Sequence, residues 1–427
     1  MSVVSSPAGR YREIVSSSFV RAVATLSTGQ AVAAVIPILA APILGRLYPP
    51  SDYGVLGVYM AIANVLAVFS TFQLQQAIIA ERFERRAIAL VQVCRWMAVP
   101  VALAAAGLAA GLVWWMGDQP AYVDARFWML FLPVSVMVAA TTQGIAVLAN
   151  RGRRYGFLAR IQVIAVTVTV ATSITLGFMG WGVHGLLSGY FAGQSVSLLV
   201  HLWLYRRMVA RPPRVGAAGV FALVRRHRDF ATYSLPSELL LTVNLQMPVF
   251  ALTSFGATAL LGSFVRARQL ISLPLTLLGS SISQVFQQHA AEEYRRTGSC
   301  RRLYERTFFA LIGIGLAPTA VLIVFGPDLF RLFLGPNWGQ AGEVTRILAP
   351  MMLLRLGTSP LTRIFSFTGN QKLAFRLSVL SCIGCVLGVV GPVLVGLPAI
   401  YSVIGFAAVY SLVYLAYGVI GWKLTVR

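Results

Sequence analysis

Acidic residues are scarce in this chain. Asp and Glu number 13 among 427 residues, against 35 Lys and Arg, and charge of both signs makes up only 11%. A soluble domain carries about 25% charge. With 57% of residues apolar and a mean hydropathy of +0.76, no interval is left for a sizeable soluble domain. The longest polar stretch is Tyr205–Asp229. Lysine is nearly missing. Neither Lys372 nor Lys423 follows a glycine, which excludes a phosphate-binding loop and a built-in ATPase. None of the four histidines (His184, His201, His227, His289) precedes a glutamate, which excludes the zinc-protease motif. Four cysteines make no disulfide framework. Cys94 and Cys300 lie near span ends, and Cys382 with Cys385 sit in an apolar helix without further ligands, as packing residues do. No external loop is large enough for a catalytic domain, so neither enzyme chemistry nor a cofactor or metal is expected.

What is present is a series of apolar runs of ~20 residues, the length that crosses a bilayer. The sequence predicts an all-α polytopic membrane protein with about twelve spans. Six lie near 19–46, 54–80, 88–117, 126–149, 156–180 and 184–205. Six more lie near 230–256, 258–288, 304–326, 344–368, 374–397 and 400–422. The expected division is an N-terminal six-helix lobe over 1–209, a basic connector over 210–229 and a C-terminal six-helix lobe over 230–427, around a central cavity. Trp114, Trp115, Trp181, Trp203, Tyr205 and Trp422 stand at span ends as interfacial anchors. The first span is too long, and the segment before it too polar, for a cleaved signal peptide, so it reads as retained.

The surplus of positive charge is distributed unevenly. Twenty-seven of the 35 basic residues fall on one side of the alternating loops, and four (Arg46, Arg126, Arg331, Arg346) on the other. The positive-inside rule then places both termini in the cytoplasm, and the charge reads as topology rather than nucleic-acid binding. The connector holds a short apolar patch (Val220, Phe221, Val224) among arginines. It reads either as a segment lying on the cytoplasmic leaflet or as a plain linker.

The remaining four arginines, Arg266, Arg268, Arg355 and Arg363, lie inside spans, where charge is costly and points to function. Arg363 and Arg46 can snorkel to headgroups. Arg268 can pair with Glu238. Arg266 and Arg355 lie too deep to snorkel and are expected to line a cavity. Span two sets Asn64, Thr71 and Gln75 on one helical face, span seven aligns Glu238, Thr242 and Gln246, and span ten runs Arg355, Ser359, Thr362 and Ser366. Such stripes either bond neighbouring helices or face a polar substrate. Gln30 sits inside the first span, whose Ser27, Ala31, Ala34, Ala41 and Gly45 form a small-residue stripe with Ile38. Aligning Gly57 with Gly262 sets Asn64 beside Gln269, a faint repeat of the kind transporters use. An interior with several arginines and one carboxylate attracts anions, and arginine forks onto phosphate oxygens. A phosphate-bearing substrate that crosses the bilayer is the economical inference.

Gly29-Gln30 and the following PILAAPILGRLYPPSDYG (37–54) resemble the N-terminal signature of bacterial polysaccharide-unit flippases of the O-antigen type. These belong to the multidrug/oligosaccharidyl-lipid/polysaccharide exporter superfamily. The signature residues here are Arg46, Leu47, Tyr48, Asp52, Tyr53 and Gly54, and FGPDLFRLFLGPNWGQAGE, with Phe325-Gly326 and Trp338, is similar too. The resemblance implies transfer of an undecaprenyl-pyrophosphate-linked oligosaccharide from the cytoplasmic to the periplasmic leaflet of the inner membrane, for O-antigen or exopolysaccharide assembly. It implies alternating access through a cationic cavity, with a polymerase and other glycan-assembly proteins as partners. On that reading Arg266 and Arg355, with Arg268, engage pyrophosphate or acidic sugars. Gln30, Asn64, Thr71, Gln75 and Gln269 face the cargo, and Glu238 titrates if transport is ion-coupled. The rivals are a membrane-embedded glycosyltransferase or polymerase on the same lipid-linked sugar, and a non-transporting scaffold.

Overall fold

A computed structural model describes residues 20–115, 123–213 and 215–426. The described chain is helical, apart from turns and an isolated antiparallel bridge between Ser299 and Val426. Both termini of the sequence lie outside the described residues. In lipid every backbone N–H and C=O must be satisfied within the segment, and the helix does this. Helices α1 (Val20–Leu47) and α2 (Pro50–Ser70) form a hairpin whose turn is fixed by Pro49-Pro50, with Pro50 opening α2 where a missing N–H costs nothing. Then come α3 (Glu84–Trp115), α4 (Leu132–Arg151), α5 (Tyr155–Phe178), α6 (Val183–Met208) and a ten-residue connector helix α7 (Ala217–Arg226). The second half holds α8 (Leu235–Ser254), α9 (Thr258–Thr297), α10 (Arg301–Leu334) and α11 (Gly339–Thr358). It ends with α12 (Gln371–Cys385, continued through a π turn to Leu394) and α13 (Ile400–Lys423).

Nine helices among the described residues are long and apolar enough to cross a membrane. Three more, α6, α9 and α11, are at least 20 residues long but more polar. The chain is a multi-pass helical membrane protein. Its outer surface agrees: Leu39, Leu103, Phe309, Leu332, Leu394 and many other large apolar side chains are exposed, as lipid-facing residues are.

The chain forms two compact units. The first comprises Met1–Ala40, Ala63–Asp118 and Arg126–Leu239, and the second Ala41–Ile62, Gln119–Ala125 and Leu240–Arg427. The end of α1 and the start of α2 thus belong with the C-terminal helices. In the first unit α5 and α6 pack so closely that a Cβ on Gly189 or Gly193 would overlap the hydroxyls of Ser173 or Thr169. A core of Ile78, Leu90, Val91, Ile145 and Leu148 ties α3 to α4. In the second unit Gly326 and Pro327 of α10 lie against Gly342 of α11, and Phe286, Tyr304, Leu361 and Phe365 fill a core of their own.

Two expected spans are broken. The helix of span two ends at Ser70, because Phe72 and Gln73 take positive φ (50° and 59°) and the chain restarts as a 3-10 turn over Leu74–Gln76. Span ten is α-helical only to Thr358 and continues as a 3-10 segment, Ser359–Arg363. The connector helix corrects the leaflet reading in part. Val220, Leu223 and Val224 pack on Leu74, Val93 and Cys94, while Phe221 is 68% exposed. The short apolar patch is amphipathic, and its inner face is held by protein.

Candidate functional site

The α1–α2 turn is the best-fitted part of the second unit. Trp338, fully buried after the α10–α11 turn, donates its indole N–H to the Gly45 carbonyl at 2.7 Å and meets the Tyr53 ring edge-on at 5.3 Å. A Cβ on Gly45 would lie 2.6 Å from the Leu334 carbonyl oxygen, so glycine lets the two helix ends touch. Arg46 donates to Pro42 O at 2.8 Å, Leu332 O at 3.1 Å and Phe333 O at 3.2 Å. It caps the last carbonyls of α10, which have no helical partner, while its side chain stays exposed. Gly54 lies against Thr258, Gly57 against Val265 and Gly262 against Pro50, all at the crossing of α2 and α9. The two glycines that align in the sequence repeat are therefore both contact glycines of one crossing.

Arg266 is 3% exposed, its guanidinium 4.8 Å from the Tyr53 ring centroid, and it donates to Gln269 Oε1 at 3.0 Å. Its Nε and Nη2, and the Tyr53 hydroxyl, have no hydrogen-bond partner. Arg266 therefore faces the hairpin rather than open space. Arg268 donates to the Leu245 carbonyl at 2.6 Å and approaches Gln246 Oε1 at 3.5 Å, with the Phe264 ring 5.2 Å away. These contacts within α8 and α9 replace the expected pairing with Glu238. One turn along α8, Pro248 offers no N–H to the Asn244 carbonyl, and the Cys385 thiol points there at 3.8 Å. Arg355 of α11 is half-buried and lies in the neighbourhood of Arg268, Tyr410 and Tyr414. No ion pair among the described residues involves Arg266, Arg268 or Arg355. Arg268 and Arg355 are thus like charges with no carboxylate in an ion pair to either among the described residues.

The other expected site residues lie elsewhere. Asn64 is exposed on the wall of a cavity in the first unit. Thr71 and Gln75 do not share its face: past the helix break they are buried and bond to each other, with Gln75 also donating to Gln73 Oε1 at 3.2 Å. Gln30 and Gln269 are exposed, and Glu238 and Thr242 are half-buried. Thr362 donates to Ser359 O at 2.8 Å within the 3-10 turn, Arg363 is exposed, and the Ser366 side chain lies outside the described residues, as does that of Ser27. Tyr410 and Tyr414 went unread: they share a helical face at i, i+4, but no basic residue stands near them in the sequence. It passed over Gln143, Tyr190 and Gln194 for want of charge.

A second cluster fastens the connector. The Glu81 side chain is 2% exposed, accepts from the Arg82 and Phe83 backbone N–H groups at 3.0 and 3.3 Å, and lies 3.2 Å from His227 Nε2 and 3.6 Å from Arg226 Nε. Burial alone would push its carboxyl up. The Phe83 N–H, His227, Arg226 and the Arg82 N–H outweigh that and hold it below its ordinary value. Arg151 donates to the carbonyls of Ile78 and Glu81 in the same turn.

The described residues thus form a bundle of membrane helices with arginines in its interior that make no ion pair. Residues 43–343 match the model of the polysaccharide biosynthesis protein family, and the chain belongs to it. The succinoglycan biosynthesis transport protein ExoT of Rhizobium meliloti (strain 1021) is 24% identical over 325 residues, which are 72% of this chain and 61% of that protein. The chain thus spans less than two thirds of the length of that curated relative. Among solved structures, the lipid II flippase MurJ in an inward closed conformation superposes with a TM-score of 0.70 at 12% identity, over 94% of this chain and 86% of that one. A superfamily transporter from Pyrococcus furiosus superposes with a TM-score of 0.54 at 15% identity, over 94% of each chain. The fold is the one these transporters share.

Proposed function

We propose that the protein is a flippase for lipid-linked oligosaccharides of surface polysaccharide assembly. Its cargo is an undecaprenyl-pyrophosphate-linked unit, carried from the cytoplasmic to the periplasmic leaflet of the inner membrane by alternating access. The observation that carries this reading is the Arg268–Arg355 pair: two cations in an apolar unit, with tyrosines and no acidic partner. A pyrophosphate supplies the missing charge and accepts forked guanidinium hydrogen bonds. Arg266, stacked under Tyr53, holds the hairpin in the present conformation and reaches cargo only when the hairpin moves. Family membership and the transport relatives support the reading. Both termini are cytoplasmic, the two six-helix halves are residues 1–209 and 230–427, with residues 41–62 packed in the second unit, Glu238 serves any ion coupling, and a polymerase receives the product.

The test is leaflet translocation in proteoliposomes, with a polyprenyl-pyrophosphate oligosaccharide as cargo and an external sugar-modifying enzyme as readout. Arg268→Ala and Arg355→Ala are each expected to slow translocation at least about tenfold, the worth of one charge-assisted hydrogen bond. Translocation untouched in both well-folded variants removes this site. No protein-dependent translocation, with or without a proton gradient, removes the flippase, and glycosidic bond formation would favour an enzyme.

A further inference from the structure

The first unit has a cavity of its own. It measures about 260 Å³ and is walled by α2, α4 and α6. Among the described residues no Asp, Glu, Lys, Arg or His lines it. Some of its polar groups already bond to their own helices. Thr142 donates to the Val138 carbonyl at 2.8 Å, and the Ser197 hydroxyl lies 3.4 Å from His201 Nδ1. What the wall presents is three amides, Asn64, Gln143 and Gln194, and the phenol of Tyr190, which is hydrogen-bonded to Gln194 one turn along α6. Ala63, Ala67 and Ala139 keep the space open, since larger side chains there would fill it.

Uncharged amides in a membrane protein are costly unless something meets them. Each offers both donors and an acceptor. That combination fits vicinal hydroxyls, which also donate and accept, while the Tyr190 ring offers an aromatic surface to the C–H face of a sugar. A phosphate would find no cation here, and a lipid chain no continuous apolar wall. At ~30 Å³ per water the volume holds about nine waters, comparable to one pyranose ring of about a dozen heavy atoms.

We propose that this cavity is a subsite for one uncharged pyranose of the glycan. The proposal rests on the lipid-linked cargo reading above. Asn64, Gln143 and Gln194 bond its hydroxyls, and Tyr190 positions Gln194 and supports the ring. Recognition is then divided by chemistry: amides read the sugar, arginines the pyrophosphate.

The test compares equilibrium binding of two probes to the purified full chain in detergent, by native mass spectrometry. One probe is undecaprenyl pyrophosphate, and the other is the same lipid carrying one or two neutral sugars, with glucose, galactose and N-acetylglucosamine versions. Wild type is expected to bind at least one sugar-bearing lipid more tightly than the bare lipid. Gln143→Leu and Gln194→Leu are expected to erase that preference by about tenfold while leaving the bare lipid unchanged. Asn64→Ala, at an exposed position on the cavity wall, gives the same readout if a leucine variant does not fold. Preference retained in the folded variants overturns the subsite but leaves the flippase. Equal binding of all lipids by wild type also overturns the subsite, and translocation then judges the flippase separately. Binding of neither probe overturns both.

Discussion

At the scale of single residues, glycine and the buried carboxylate carry the clearest consequences. A Cβ at Gly262 would overlap the Pro50 carbonyl oxygen, which sits on backbone and cannot swing aside. Gly262→Ala is expected to destabilise the second unit by about 1–3 kcal/mol, the usual cost of overpacking, seen as a lower Tm in detergent. Gly107→Ala, which has open space around it, should leave Tm unchanged. Glu81 makes a pH prediction. Its folded value lies below the ordinary 4.5, so its contribution is present in full above that value and fades as pH falls through the folded one. Hydrogen-exchange protection of residues 217–227, taken relative to the intrinsic rate at each pH, should therefore be high at neutral pH and fall below pH 4.5, whereas in Glu81→Gln it should be low already at neutral pH. Residue chemistry was partly legible. The deep arginines announce themselves by cost alone, and Gly57 and Gly262 align in the sequence. Thr71 and Gln75 were misplaced because the break between them rests on positive φ at Phe72 and Gln73, which are not glycines and leave no mark on helical periodicity.

At the scale of elements, the connector helix is held by one apolar face and one carboxylate. Leu223 reaches two clusters of the first unit, that of Ile78 and Leu90 and that of Leu74 and Val93. Leu223→Asp buries a charge without a partner, and trypsin should then cut at Arg225, Arg226 and Arg228 several-fold faster than in wild type. The span positions were legible because apolar length sets them. The face the connector buries was only half legible, since a ten-residue amphipathic helix fits a leaflet and a protein groove equally well by pattern. The docking of the α1–α2 turn on Trp338 was not legible as a contact. The two stretches were singled out separately, and nothing in sequence spacing says that they meet.

At the scale of the whole molecule, charge placement predicts orientation. A single cysteine introduced at exposed Arg211 should react with a membrane-impermeant thiol reagent only from the cytoplasmic side, and one at exposed Asp328 only from the outside. Reversed labelling would invert the topology and the direction of transport with it. The basic excess supplies this expectation from the sequence alone, whereas the assignment of residues 41–62 to the second unit was not legible there, because it depends on contacts far apart in the chain.

That assignment has a consequence for how the protein is made. The α1–α2 turn emerges early, but Thr258, Val265 and Trp338, against which it packs, follow roughly 200 residues or more later, about 10–40 s at ~5–20 residues per second. Throughout that interval the Gly45 carbonyl has no indole, Arg46 has no α10 end to cap, and the glycine faces of α2 stand open in the lipid. A nascent chain released before Trp338 would carry this unsatisfied hairpin permanently, a ready mark for membrane quality control to recognise. Helices α1 and α2 enter the bilayer before α9 and α11 are made, and so finish folding only after them.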